Sequence, residues 1–320
     1  MKFDLVFASR TRVLFGLLII SIAAMSLISP YFLNLGNILT LMRYSTVVGL
    51  LALGQALVIL GGGGGIDLSI GSTMSLCSVV FGLIATHTSL NIWIVCLITI
   101  TAGGFAGCIN GFFVSILDLP PLIVTLGTMY LYSSLAQVMS GGTDISGFDR
   151  QGFNIIGQTE LFGIPMQVLV VFIPIAVLMA FVANKTVFGR DVYAIGSGDR
   201  PAQLAGVPLK LTRVTLYCIS GLTAALGSIV TASWLLNARS TAGNGYELQA
   251  VTIAVLGGIA ITGGIGKIHD VILAVILMAI LNNGLQLAGI DSTYQLGLLG
   301  LVLVVSMLIR KKNTFGKIVV

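Results

Sequence analysis

Ten apolar stretches, at residues 12–29, 45–60, 66–85, 92–116, 122–139, 166–183, 214–235, 248–265, 269–290 and 294–309, commit this chain to a lipid bilayer. A helix needs about 20 residues to cross the hydrocarbon core, and most of these stretches approach that length. Hydrophobic residues make up 56% of the chain, mean hydropathy is +1.05 and only 8% of residues are charged. No soluble domain has that composition. The expected fold class is an all-α polytopic membrane protein with about ten transmembrane helices, forming one transmembrane domain over residues 1–320.

Lys and Arg concentrate in cytoplasmic loops, which orients the chain. A cytoplasmic N-terminus places 13 of the 16 basic residues inside: Lys2, Arg10, Arg12, Lys185, Arg190, Arg200, Lys210, Arg213, Lys267, Arg310, Lys311, Lys312 and Lys317. Arg43, Arg150 and Arg239 remain outside. A missed span would scramble this division, so it supports ten spans and two cytoplasmic termini. The net charge of +5 is then an insertion signal. No basic cluster interleaved with aromatics points to nucleic acid. The first span ends at Pro30-Tyr31 without a small-x-small cleavage site, so it reads as an uncleaved helix. Cys77, Cys96, Cys108 and Cys218 are isolated within spans and read as packing residues. Trp93 and Trp234, near span ends, suit interfacial anchoring.

Three interruptions carry the functional reading. The first is the cytoplasmic loop 184–213, with five basic residues. Within it Asp199, Pro201, Ala202 to Ala205 and Gly206 spell a short helix: Asp199 to accept the first free N–H groups, Pro201 for the first turn, Gly206 to turn the chain out. A small helix displayed there implies a partner that grips it. The other two are glycine breaks, Gly61 to Gly65 before Ile66-Asp67-Leu68-Ser69, and Gly257-Gly258 through Gly263-Gly264-Ile265-Gly266. Non-helical backbone at membrane depth survives only where protein or a wet cavity satisfies it, and paired breaks point to a transporter repeat. Asn110-Gly111 precedes Asp118 at the spacing at which Asn283-Gly284 precedes Asp291. Asp118 falls inside and Asp291 outside, so spans 2–5 are expected to mirror spans 7–10 as an inverted repeat. The periplasmic loop 140–165, with Asp144, Asp149 and Glu160, reads as a solvated connector in preference to a partner surface.

Catalytic chemistry finds no footing. His87 and His269 fall on opposite membrane faces, no metal-ligand spacing occurs, and Gly266-Lys267 fails the phosphate-loop pattern because Ile261 and Ile268 occupy its outer positions. No catalytic, cofactor or metal residue is expected. Asp67, an acid interrupting an apolar stretch, is a functional candidate by default. Capping the helix that follows is favoured over contact with a solute or proton. The scarcity of other intramembrane acids argues against a proton-coupled carrier, and a stand-alone carrier or channel is the weaker alternative.

The chain resembles the permease subunits of bacterial ABC sugar importers, the ribose, xylose and galactoside group that includes autoinducer-2 permeases. The resemblance covers nearly the whole chain. It rests on Gly64-Gly65-Ile66-Asp67-Leu68-Ser69-Ile70-Gly71-Ser72, Asn110-Gly111 and Pro121 to Met129; on Phe188-Gly189-Arg190, Ala194-Ile195-Gly196 and Ala202 to Gly206; and on Glu247-Leu248, Val255 to Gly258, Gly263 to Gly266 and Asn283-Gly284. Gly61 to Gly63, Ser197-Gly198 and Ile268-His269-Asp270 depart from it. The resemblance implies residence in the bacterial inner membrane, a second permease copy or relative, a cytoplasmic ATPase and a periplasmic sugar-binding protein. Residues expected to couple to the ATPase are Phe188, Gly189, Arg190, Arg200, Ala202, Leu204, Ala205 and Gly206. Those expected at helix breaks or the translocation path are Gly64, Gly65, Asp67, Ser69, Asn110, Thr125, Gly257, Gly258 and Asn283. Few charges in the spans favour a small neutral solute such as a pentose or hexose.

Overall fold

The computed structural model describes residues 2–290 together with Tyr294, Gly297 and Gly300. Those three positions apart, the expected tenth span, Asp291 and the basic tail lie outside the described residues. The helices are α1 (Lys2–Ile28), α2 (Leu35–Leu60), α3 (Ile70–His87), α4 (Ile92–Ser115), α5 (Pro121–Ser140), α6 (Asn154–Gln158), a π-helical stretch Val168–Phe172 running into α7 (Ile173–Lys185), α8 (Val187–Ser197), α9 (Asp199–Leu204), α10 (Leu209–Leu235), α11 (Tyr246–Leu256) and α12 (Ile268–Leu287). Four two-residue strands, β1 (Ile145–Ser146), β2 (Glu160–Leu161), β3 (Ile164–Pro165) and β4 (Asn237–Ala238), pair as β1–β4 and β2–β3.

Among the described residues, eight helices are long and apolar enough to cross a membrane. Three expectations need correcting. The second span starts at Leu35, where the Asn34 side chain accepts from the Gly36 N–H, rather than at 45. The third starts at Ile70 rather than 66, because residues 61–69 stay non-helical. The eighth is no continuous span: α11 has only 11 residues and stops before the turn-rich 257–267 segment.

The centre of the bundle is set by glycine. Gly103, Gly107 and Gly111 form one stripe on α4, and a Cβ on any of them would strike α10 backbone at Gly221, Tyr217 or Val214. Small residues four apart are what lets two membrane helices approach so closely. α2, buried from Thr46 to Leu60, packs on α10, α11 and α12, while α10 packs on α2, α3 and α4. Each half's leading helix therefore lies among helices of the other half.

That arrangement corrects the repeat. The Gly264 N–H donates to the Leu60 carbonyl at 2.9 Å, so the two glycine breaks sit together at the end of the bundle carrying the basic loop. Mirror partners would lie at opposite ends. The first residue of α11 is Tyr246. The segment before it descends along α3 from the far end. The Arg239 and Gly243 N–H groups donate to the Ser78 and Ser75 hydroxyls at 3.0 and 2.9 Å, and Gly243 packs against Gly71. Serines on α3 thus satisfy backbone that has entered the bundle.

The 140–165 segment is a packed cap, contrary to its expected reading as a solvated connector. Phe148 and Phe153 are buried against Phe81 of α3, with ring centroids 5.3 and 4.9 Å away. The three basic residues expected outside all fasten it. Arg43 pairs with Glu160 at 2.9 Å and Arg239 with Asp144 at 3.0 Å, while Arg150 donates to the Thr88 and Leu90 carbonyls.

Candidate functional site

Asp67 sits 1% exposed between α2 and α3, and its carboxylate is fully engaged. Oδ1 accepts from the Ser69 N–H at 3.0 Å and the Ser69 hydroxyl at 2.7 Å; Oδ2 accepts from the Ser220 hydroxyl at 2.6 Å. The Asn110 amide donates to Ser69 Oγ at 2.7 Å, so donation runs from Asn110 through Ser69 to Asp67. With its carboxamide set to satisfy both partners, Gln55 accepts from the Asp67 N–H and donates to the Asp67 carbonyl. Thr125 donates to the Ile66 carbonyl at 3.1 Å. The Ile66-Asp67-Leu68-Ser69 stretch is therefore tied to α2, α4, α5 and α10. A buried charge persists only with such a set of donors.

A second focus lies at the basic end. The α7–α8 turn is tight because Gly189 packs on the Val182 and Ala183 carbonyls, and Thr186 Oγ1 caps α8 by accepting from the Gly189 N–H at 3.1 Å. α8 buries Val192 and Ile195. The Tyr193 hydroxyl donates to the Gly266 carbonyl at 2.8 Å; burial raises that phenol above its usual range, which keeps it a donor. At Gly196 a Cβ would overlap both the Leu60 carbonyl and the Gly264 amide, and Gly62 and Gly263 press on the same point. Two helix breaks and the end of α8 thus meet backbone to backbone.

α9 follows at once. It closes with Gly206 at φ +80°, the Gly206 N–H donating to the Gln203 carbonyl and the Val207 N–H to the Ala202 carbonyl, at 3.0 Å each. This is the glycine turn expected from sequence. Asp199 does not cap; Gly198 takes that position without a side-chain bond. Asp199 pairs instead with Arg213 of α10 at 2.6 Å, and the guanidinium lies over Gly63. Beside this pair a cavity of about 220 Å³ is lined by Gly61 to Gly63, Asp118, Asp199, Arg213 and Tyr217; Asp67 is not in its lining.

The structure divides both sets of expected residues. Of the coupling set, Arg190, Arg200, Leu204, Ala205 and Gly206 are exposed, whereas Gly189 and Ala202 are buried and Phe188 packs inward against the core. The last three anchor the segment and present nothing outward. Of the path set, Asp67, Ser69, Asn110 and Thr125 come together, with Gly65 and exposed Gly64 on the run leading to them. Gly257 and Gly258 belong to the other break, Gly257 against Val271. Asn283 is remote from both, exchanging amide hydrogen bonds with Asn37 near the start of α2 at 2.8 Å. Sequence reading missed Gln55 and Ser220, which look like ordinary polar residues in apolar helices.

The family described as branched-chain amino acid transport system / permease component matches residues 37–307. The chain is 36% identical over 299 residues to the ribose import permease protein RbsC of Bacillus subtilis (strain 168), covering 93% of this chain and 91% of that protein. It is 32% identical over 295 residues to the autoinducer 2 import system permease protein LsrD of Escherichia coli (strain K12), covering 91% and 88%. No solved structure matches. With its broken membrane helices, its sealed acid and its displayed α9, the chain belongs to the branched-chain amino acid transport system / permease component family, as a membrane permease.

Proposed function

We propose that this chain is the transmembrane subunit of an ATP-driven importer that carries a small neutral sugar of pentose or hexose type across the bacterial inner membrane. The basic end faces the cytoplasm. A separate ATPase grips α9 and the exposed face of α8, a second permease copy or relative completes the pathway, and a periplasmic binding protein delivers the solute. The observation that carries this reading is the α8–α9 segment. Its outer residue Leu204 is 84% exposed, while its root at Gly196 touches both helix breaks. A push on α9 therefore reaches membrane-embedded backbone through rigid contacts, as alternating access requires. Likeness to LsrD makes autoinducer-2 or a similar polar solute the second reading. A stand-alone carrier is disfavoured because the Asp67 carboxylate is occupied by protein donors.

Reconstitution tests it. Vesicles holding the chain with its ATPase and binding protein should take up solute only with ATP; ATP-independent uptake by the chain alone ends the proposal. Arg190→Glu and Gly206→Leu should each uncouple ATP hydrolysis from uptake while insertion stays normal. Gly206 has open space around it, so leucine there acts through the left-handed backbone, at about 1–2 kcal/mol. Normal uptake by both variants removes α9 from the coupling role. Arg213→Glu sets two acids together and should also depress uptake, and the exchange Asp199→Arg with Arg213→Glu should recover part of it. Equal uptake by the single and exchanged variants means the pair does not transmit.

A further inference from the structure

We propose that a groove between α4 and α10 binds an anionic phospholipid of the cytoplasmic leaflet, with one acyl chain lying in the groove and the phosphate held by Lys210. This rests on the proposed orientation, with the basic end of the bundle in the cytoplasm.

The groove adjoins the glycine seam, where Gly111 lets the Val214 backbone press onto α4. Phe105, Ile109, Phe112 and Ile116 follow one another along α4 at helical steps of four and three, and Leu211 and Val214 line the same groove from α10. Ile109 and Val214 are half-buried, whereas Phe105, Phe112, Ile116 and Leu211 are exposed. The space between them is about 840 Å³, within the range of sites that bury a small ligand. Lys210, at one end, is the single charged residue of the lining among the described residues.

Depth and charge together select the occupant. Phe105 lies just past the middle of Ile92–Ser115, and Ile116 just beyond its inner end. The run from Phe105 to Ile116 covers about 16 Å at 1.5 Å per residue. That matches one leaflet, half of a hydrocarbon core about 30 Å thick. Lys210 stands at the headgroup end, where the Ser115 hydroxyl donates to its carbonyl at 2.9 Å. Its ammonium lies 4.0 Å from the Asp118 carboxylate, and the two side chains are 61% and 81% exposed. That separation is too long for a hydrogen bond, and an exposed pair of this kind is weak. The ammonium therefore keeps its donors for a phosphate. A second protein helix laid in the groove would place hydrocarbon beside Lys210. A phospholipid carries its phosphate where its chain ends, and basic residues between membrane helices on this side favour anionic headgroups. A lipid seated here braces the start of α10, the stretch that carries Arg213 and its pair with Asp199.

The test uses the assembled complex in phosphatidylcholine nanodiscs doped with phosphatidylglycerol that bears a photoactivatable acyl chain. After illumination, peptides covering 105–116 and 211–214 should carry more of the probe than 173–181 of α7, where Ile173, Val177, Leu178 and Phe181 are exposed. A phosphatidylcholine probe with the same chain should label the groove about fivefold less, the factor that one lysine contributes near an anionic headgroup. Lys210→Gln should cut the phosphatidylglycerol yield in the groove by a similar factor and leave 173–181 unchanged. Equal labelling of the groove and 173–181 overturns the proposal, as does groove labelling that ignores both the headgroup and Lys210→Gln. Both leaflets of the nanodisc hold probe, so these yields depend neither on which way the chain crosses the membrane nor on its solute. Orientation is tested apart, by treating intact cells carrying Leu204→Cys with an impermeant thiol reagent. Reaction there would overturn the orientation and move the lipid site to the other leaflet, whereas protection supports the leaflet assigned.

Discussion

Gly196→Val should abolish uptake and lower the thermal stability of the purified protein, although the residue touches no solute. Its Cβ would overlap both partners of the Leu60–Gly264 hydrogen bond, and Gly62 lies against its Cα. Overpacking a tight site costs about 1–3 kcal/mol, and stranding a buried backbone N–H and C=O costs a further 1–3 kcal/mol or so. Only backbone movement can relieve the clash, and any such movement separates α8 from one break or the other. Uptake should therefore fall by roughly two orders of magnitude, the factor corresponding to about 2.7 kcal/mol. Gly16→Ala is the control, since a Cβ there meets nothing within 4 Å. Near-normal uptake and melting for Gly196→Val would show that the junction is not the link between α8 and the breaks.

Asp67→Ala carries the other large effect. It leaves the Ser69 N–H, the Ser69 hydroxyl and the Ser220 hydroxyl without their acceptor in a sealed site. Removing one side of such a network costs about 3–5 kcal/mol, which corresponds to an apparent Tm lower by about 10 °C. Asp67→Asn keeps one oxygen for Ser69 and turns an amide toward Ser220, so it should lose less than half as much. Uptake should track stability across the two variants. Loss of uptake in Asp67→Asn at unchanged Tm would mean that the acid carries charge or touches solute.

Hydropathy made most spans legible because lipid and a helix interior reward the same residues. That equivalence also caused the errors. Ile259, Ala260, Ile261 and Ile265 extended the eighth span on paper, yet they are non-helical backbone, with Ile259 and Ala260 wholly buried and Ile265 exposed. Conversely, Asn237, Arg239, Ser240, Thr241 and Asn244 carry no apolar pattern. Their descent into the bundle depends on Ser75 and Ser78 across the gap, which no local pattern records. The turn at Gly206 was readable because one left-handed residue defines it. Asp199 could not be assigned, because a first-turn acid serves equally well as a cap or as the partner of a distant arginine. The Asp67 donors escaped notice for a similar reason: Gln55 and Ser220 gain meaning only once α2 and α10 are side by side.

The interleaving of α2 and α10 with the opposite halves has a consequence for biogenesis. When α2 leaves the translocon, two of its long-term neighbours, α11 and α12, have not yet been translated. The α2 residues that pack on those helices must wait in the membrane with provisional neighbours. Assembly is therefore a late event, completed only after α12 has been made, and the nascent first half is the stage at which membrane chaperones and quality-control proteases have the most to recognise.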